Sequence, residues 1–119
     1  MKSNIIILFS VFALLTSCTS DSESDLVNQN VPSTITYTNS IKSIIDTNCI
    51  SCHGINPSNG ASISLTTYQN VKNAVINNGL IDKISITQGT SGMMPFGGTR
   101  LPQSKIDEVI TWKNNGFVQ

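Results

Sequence analysis

Cys49-Ile50-Ser51-Cys52-His53 sets the terms for the rest of this 119-residue chain. Two thiols two residues apart, followed at once by an imidazole, suit four chemistries, and the rest of the sequence weighs between them. A structural zinc site needs four ligands in most cases, and besides Cys18 the chain offers only this pair and a single histidine. A redox dithiol of the thioredoxin kind wants a βαβ pattern around it, and no sustained strand alternation occurs. A plain disulfide suits an exported chain but gives no role to the histidine that follows. The fourth reading uses all three side chains. Two thiols at this spacing reach the two vinyl groups on one edge of a porphyrin, and the next histidine lies beneath the iron, so the pentapeptide is a haem c attachment signature.

Outward from this pentapeptide the pattern is helical. On its N-terminal side Ile41, Ile44 and Ile45 recur at i, i+3 and i+4, with Asn39 or Ser40 placed to cap a helix that starts near Tyr37 and runs into Cys49. On its C-terminal side Gly54 to Ser64 carries Gly54, Pro57, Asn59 and Gly60, a turn-rich loop. Thr66 or Thr67 then caps a second helix whose stripe is Tyr68, Val71, Ala74 and Val75, stopped by Asn77-Asn78-Gly79. Leu80 to Ile86 reads as a further short helical piece. Gln88 to Thr99 holds five glycines or prolines and reads as an extended loop. Pro102 sits where a first-turn proline is tolerated, and Ile106, Val109, Ile110 and Lys113 set the period of a last helix, ended by Asn114-Asn115-Gly116. The expected fold class is all-α, with three to four helices.

His53 is the only histidine, so a haem iron here cannot take two histidines from one chain. Its sixth position falls to Met, Lys, water, another molecule or nothing. Two methionines lie downstream of the signature, Met93 and Met94, adjacent in the glycine-rich loop. A thioether is a soft ligand suited to iron, and a loop can deliver it across the haem face. The expected pocket residues are Ile45, Ile63, Leu65, Tyr68, Val71, Ile84, Met93, Phe96, Ile106, Val109 and Ile110. Arg100 and Trp112 are candidates for a haem propionate, the first through its charge and the second through its indole N–H.

The amino terminus reads differently. Lys2 precedes an apolar run from Ile5 to Leu15 broken only by Ser10, too short for a bilayer span of about 20 residues and suited to a secretory signal peptide. Leu15-Thr16-Ser17-Cys18 resembles a bacterial lipobox, which makes residues 1–17 a leader and Cys18 a lipidated first residue. Residues 18–33 are rich in Ser, Asp, Asn and Gln and read as a flexible tether, able to reach roughly 50 Å if fully extended. Residues 34–119 form the expected domain. Thr19, where an inner-membrane retention signal has aspartate, favours the outer membrane, and the acidic run to Asp25 resembles a surface-export signal.

Composition narrows the partners. Charged residues are 12% and apolar residues 39% of the chain, too apolar for disorder. Without its leader the chain has six basic and seven acidic residues; without Asp21, Glu23 and Asp25 also, six face four. That balance is no nucleic-acid footprint. No Ser-His-Asp, paired-carboxylate or phosphate-loop constellation is present, so nothing points to hydrolysis or group transfer.

From Tyr37 to Gly116 the chain resembles a class I, monohaem cytochrome c domain of the kind found in bacterial lipoproteins. The landmarks are the helix into Cys49-Ile50-Ser51-Cys52-His53, the Leu65-Thr66-Thr67-Tyr68 start of the middle helix, Met94-Pro95 before Gly97-Gly98, and a terminal helix with Ile106, Trp112 and Gly116. The sequence departs from the common pattern at Phe96, where a second proline or small residue is frequent, and at Pro102, where Thr or Ser usually caps. The resemblance implies a small cytochrome c fold around one covalent haem c, with His53 and Met94 as axial ligands. It implies an electron carrier of fairly positive potential rather than an enzyme, exchanging with redox proteins of the cell envelope. The alternative is a peroxidase-like or gas-sensing module with a labile distal methionine; a structural lipoprotein without haem is a third. A domain of about 85 residues buries a limited share of its surface, and a haem would supply much of its core. The haem-free chain is therefore expected to be molten or largely unfolded, seen in circular dichroism as reduced helix content and no sharp melt.

Overall fold

A π-helical turn, Tyr37–Ile41, opens the folded part of the computed structural model and passes directly into α1, Lys42–Asn48. Residues 34–119 are described; the leader, Cys18 and the tether lie outside the described residues. The start of this helix is capped one turn earlier than the sequence pattern indicates. Thr36, not Asn39 or Ser40, occupies the cap: its hydroxyl accepts from the Asn39 N–H at 3.1 Å, and the Asn39 side chain accepts from the Thr36 N–H at 2.9 Å. Asn39 thus takes the reciprocal position of a capping box. The Thr36 carbonyl accepts from both Ser40 and Ile41, which widens the first turn.

Three further helices follow: α2, Tyr68–Asn77; α3, Leu80–Ser85; and α4, Gln103–Asn114. Among the described residues there is no strand, and the all-α expectation with its small cytochrome-like helix count is met. Thr67 caps α2 through its hydroxyl, which accepts from Asn70 N–H at 3.2 Å. Gly79 joins α2 to α3 in the left-handed region, φ +63°, where a side chain would cost energy. Pro102 is the cap of α4 and not its first helical residue, and its carbonyl receives the N–H groups of Lys105 and Ile106.

The helices bury one face each against a shared core. Ile41, Val71, Ala74, Ile106, Val109 and Trp112 are fully buried, with Ile44, Ile45, Leu65, Val75, Ile84 and Leu101 nearly so. The apolar periodicity explains this directly, since residues three and four apart lie on one side of a helix. Trp112 sits at the centre of an aromatic group: its ring lies 5.9 Å from Tyr37, 6.0 Å from Tyr68 and 4.9 Å from Phe117. Three of the four contacts in the group are edge-to-face, the arrangement the ring quadrupoles favour.

The chain end ties this group together. The Val118 carbonyl accepts the Tyr37 N–H at 2.8 Å and the Trp112 indole N–H at 2.7 Å, while the Phe117 carbonyl accepts the Tyr68 hydroxyl at 2.8 Å. The first helical turn, α2 and α4 are thereby joined through two residues, Phe117 and Val118. Replacing Ile41 by Ala removes a side chain from the closed core and should cost about 2–5 kcal/mol, whereas Ile76→Ala, at an exposed position, should stay within about 0.5 kcal/mol of the parent. Guanidinium denaturation of the haem-loaded protein measures both.

Candidate functional site

The turn that carries the cysteines forms as α1 runs out. The Cys49 N–H donates to the Ile45 carbonyl at 2.8 Å, and the Cys49 carbonyl then accepts from Cys52 at 3.2 Å and His53 at 2.8 Å. These bonds coil the pentapeptide back on itself, so both sulfurs and the imidazole reach one place. Gly54 follows, and a Cβ there would stand a tight 3.1 Å from the Ile50 carbonyl oxygen. The loop after it returns to the histidine: the Leu65 N–H donates to the His53 carbonyl at 2.8 Å.

The His53 ring is oriented by a second bond to that returning loop. Its Nδ1 lies 2.8 Å from the Ile63 carbonyl oxygen. A carbonyl has no proton to give, so Nδ1 carries the hydrogen and donates it. Nε2 is left with its lone pair, the form in which imidazole binds a metal. A ligating histidine held this way by a backbone carbonyl has its tautomer and ring plane fixed in advance.

Cys49, Cys52, His53 and Met94 all line one cavity of about 480 Å³, within the range of cofactor sites. Ile63, Leu65, Leu80, Ile84, Pro95 and Phe96 supply its apolar wall, and Asn48, Asn59, Asn78 and Lys83 its polar positions. Met94 is brought there from the other side of the chain. Its N–H donates to the Lys83 carbonyl on α3 at 3.1 Å. The loop behind it is pinned by Gln88, whose side chain donates to the Gly98 carbonyl at 3.1 Å and accepts the Arg100 N–H at 2.6 Å. A lone glutamine in a polar loop carries no sequence signal for this bracing.

Both thiols are free, and no group of three His, Cys, Asp or Glu side chains gathers as a metal site among the described residues. The zinc reading thus lacks its ligands. Burial pushes the Cys49 thiol up to about 11, opposite to the lowered values of reactive redox cysteines. The Asn59 amide lies 3.6 Å from Cys52 Sγ and the Ser51 hydroxyl 3.9 Å, both long contacts. The donor set fits a haem: two thiols two residues apart, an imidazole with a free Nε2, and a thioether lining the same apolar-walled cavity.

Several expected positions fall elsewhere. Trp112 is fully buried and its indole N–H is taken by Val118, so it does not reach the cavity. Arg100 is also off the wall; its guanidinium donates to the carbonyls of Ile86, Leu101 and Ser85 and to the Gln103 side chain, bracing the loop onto α4. Neither lines the cavity, and the Trp112 indole N–H and four of the five Arg100 donors are engaged inside the fold. Met93 is buried, 5% exposed, but does not line the cavity. Of the other expected pocket residues, Ile63, Leu65, Ile84 and Phe96 line it, while Ile45, Tyr68, Val71, Ile106, Val109 and Ile110 belong to the core behind it. Phe96 is at the rim, 79% exposed, where a buried position was expected. Lys83, which the apolar pattern of the sequence gave no reason to select, is on the wall.

A family model described as cytochrome C oxidase, cbb3-type, subunit III, matches residues 38–112. The match covers the turn with Cys49, Cys52 and His53, all of α2 and α3, the Met94 loop and most of α4. No curated protein and no solved structure matches the chain. With the matched span covering well over half of the sequence, and with the helical fold and site as described, the chain belongs to this family, a class I c-type cytochrome domain that implies haem c and electron transfer.

Proposed function

We propose that this chain is a monohaem electron carrier, lipid-anchored through Cys18 and exchanging single electrons with redox proteins of the cell envelope. The observation that carries the haem reading is the His53 imidazole with Nδ1 committed to the Ile63 carbonyl, facing the same cavity as two free thiols and Met94. Cys49 and Cys52 would form the thioethers to the haem, and His53 Nε2 and the Met94 sulfur would ligate its iron. A haem held there supplies a one-electron ferric–ferrous couple. The residues around it favour carrying electrons over bond chemistry. Met94 is tied through its own N–H to α3, and Gln88 braces its loop at two points, so the ligand is held in place instead of swinging aside for a substrate. A Met ligand raises the potential relative to two histidines. The apolar wall of Ile63, Leu65, Leu80 and Ile84 lowers the local dielectric and disfavours the additional charge of the ferric state.

The anchor rests on the sequence alone: the leader of residues 1–17, the lipobox cysteine and the polar tether of residues 18–33. Lipidation with more than one chain gives stable attachment where a single chain is marginal. No helix of the described residues is long and apolar enough to cross a membrane. The tether would let the domain swing between partners near the surface.

Two experiments test these readings. In chain matured by a host that attaches haem, Cys49→Ala should lose the thioether pattern in the pyridine haemochrome spectrum. Met94→Ala should lose the weak far-red ferric charge-transfer band and bind cyanide promptly, while Met93→Ala keeps the band. If the parent itself exchanges its distal ligand for cyanide at once, it is a sensor or peroxidase-like module and not a carrier. Fractionation of expressing cells tests the anchor: Cys18→Ala should move the protein from the membrane pellet to the soluble extract.

A further inference from the structure

Among the described residues, Lys83 is the only charged side chain on the cavity wall. It is an exposed residue of α3, and among the described residues it takes part in no ion pair. The other cations are placed differently. Lys42 and Lys105 pair with Asp46 and Glu108 on their own helices. Lys72 lies over the Tyr68 and Phe117 rings. Arg100 spends its guanidinium on carbonyls and Gln103. Lys113 is in the last turn of α4, away from the wall. No carboxylate of the described residues lines the cavity.

A porphyrin with its vinyl edge at Cys49 and Cys52 carries two propionates on another part of its rim, both anionic at neutral pH. The wall has one cation to meet them, and it comes from a different element than the cysteines. We propose that the Lys83 ammonium holds a haem propionate. The assignment rests on the haem reading above and adds to it the residue that receives the carboxylate, in place of Arg100 and Trp112. Charge-assisted hydrogen bonds of this kind are shorter and about twice as strong as neutral ones. Lys83 thereby acts on both sides of the site: its backbone carbonyl holds the Met94 N–H, and its side chain holds the haem rim. It is a positioning residue, and through its charge it also favours the less positive ferrous state.

The test uses the haem-loaded full chain and four forms: the parent, Lys83→Met, Lys83→Arg and, as a lysine off the wall, Lys72→Met. The ferrous resonance Raman spectrum contains a propionate-bending band that rises with hydrogen bonding to the carboxylate. Lys83→Met should shift this band to lower frequency and lower the midpoint potential at low salt, because removing a positive charge stabilises the ferric state. Lys83→Arg should leave both near the parent, and Lys72→Met should leave the band unmoved. A Lys83→Met band identical to the parent's, with the remaining haem bands intact, overturns the assignment; so does an equal shift in Lys72→Met. A parent spectrum with no haem bands at all would instead overturn the reading on which it rests.

Discussion

The hydrogen bond from His53 Nδ1 to the Ile63 carbonyl, 2.8 Å long, is the interaction around which the site is arranged. It joins the turn at the end of α1 to the far end of an irregular loop ten residues on. With the Leu65 N–H on the His53 carbonyl it closes that loop onto the histidine from both its side chain and its backbone. The loop has no helix or strand to order it, so these bonds set where Ile63 and Leu65 present their side chains. The same bond determines the chemistry of the ring. A proton held at Nδ1 leaves Nε2 as a base and a ligand, and the carbonyl on the other side makes it a better electron donor.

The opposite wall is built by a different route. α3 is a single short helix, too short to be stable by itself, and it is held by packing Leu80 and Ile84 into the core and by following Gly79 out of α2. It receives the Met94 N–H on one of its carbonyls, and Gln88 and Arg100 fasten the remainder of the loop to it and to α4. The two walls share no local sequence. What keeps them facing each other is the helical core behind, closed by the chain end, where Val118 and Phe117 supply carbonyls to Tyr37, Trp112 and Tyr68. His53 and Met94 thus reach one cavity from separately anchored segments.

The hydrogen bonds that Trp112 and Arg100 make inside the fold follow from this closure. An indole N–H at the centre of an aromatic group needs a partner when buried, and the Val118 carbonyl is at hand only because the last residues fold back over α4. A guanidinium has five donors in a rigid fork. The end of α3 and the residue after the glycine-rich loop leave carbonyls without helical partners, and Arg100 satisfies those of Ser85, Ile86 and Leu101. Lys83 has no such demand from the fold, and its charge remains for the cavity.

Local physics in the chain was enough for much of this. Helical periodicity marked α1, α2 and α4 and the buried stripes Ile41-Ile44-Ile45, Val71-Ala74-Val75 and Ile106-Val109, because which face of a helix is apolar depends on spacing alone. The five residues ending in His53 named the cofactor chemistry, since the thiol spacing and the adjacent imidazole are covalent facts of the sequence. Spacing could not distinguish Met93 from Met94, place the cap at Thr36, or tell that Lys83 and not Arg100 lies on the wall. Those depend on where a loop's backbone hydrogen bonds close and on which long side chain finds a carbonyl first, and both are settled by contacts between residues far apart in the chain.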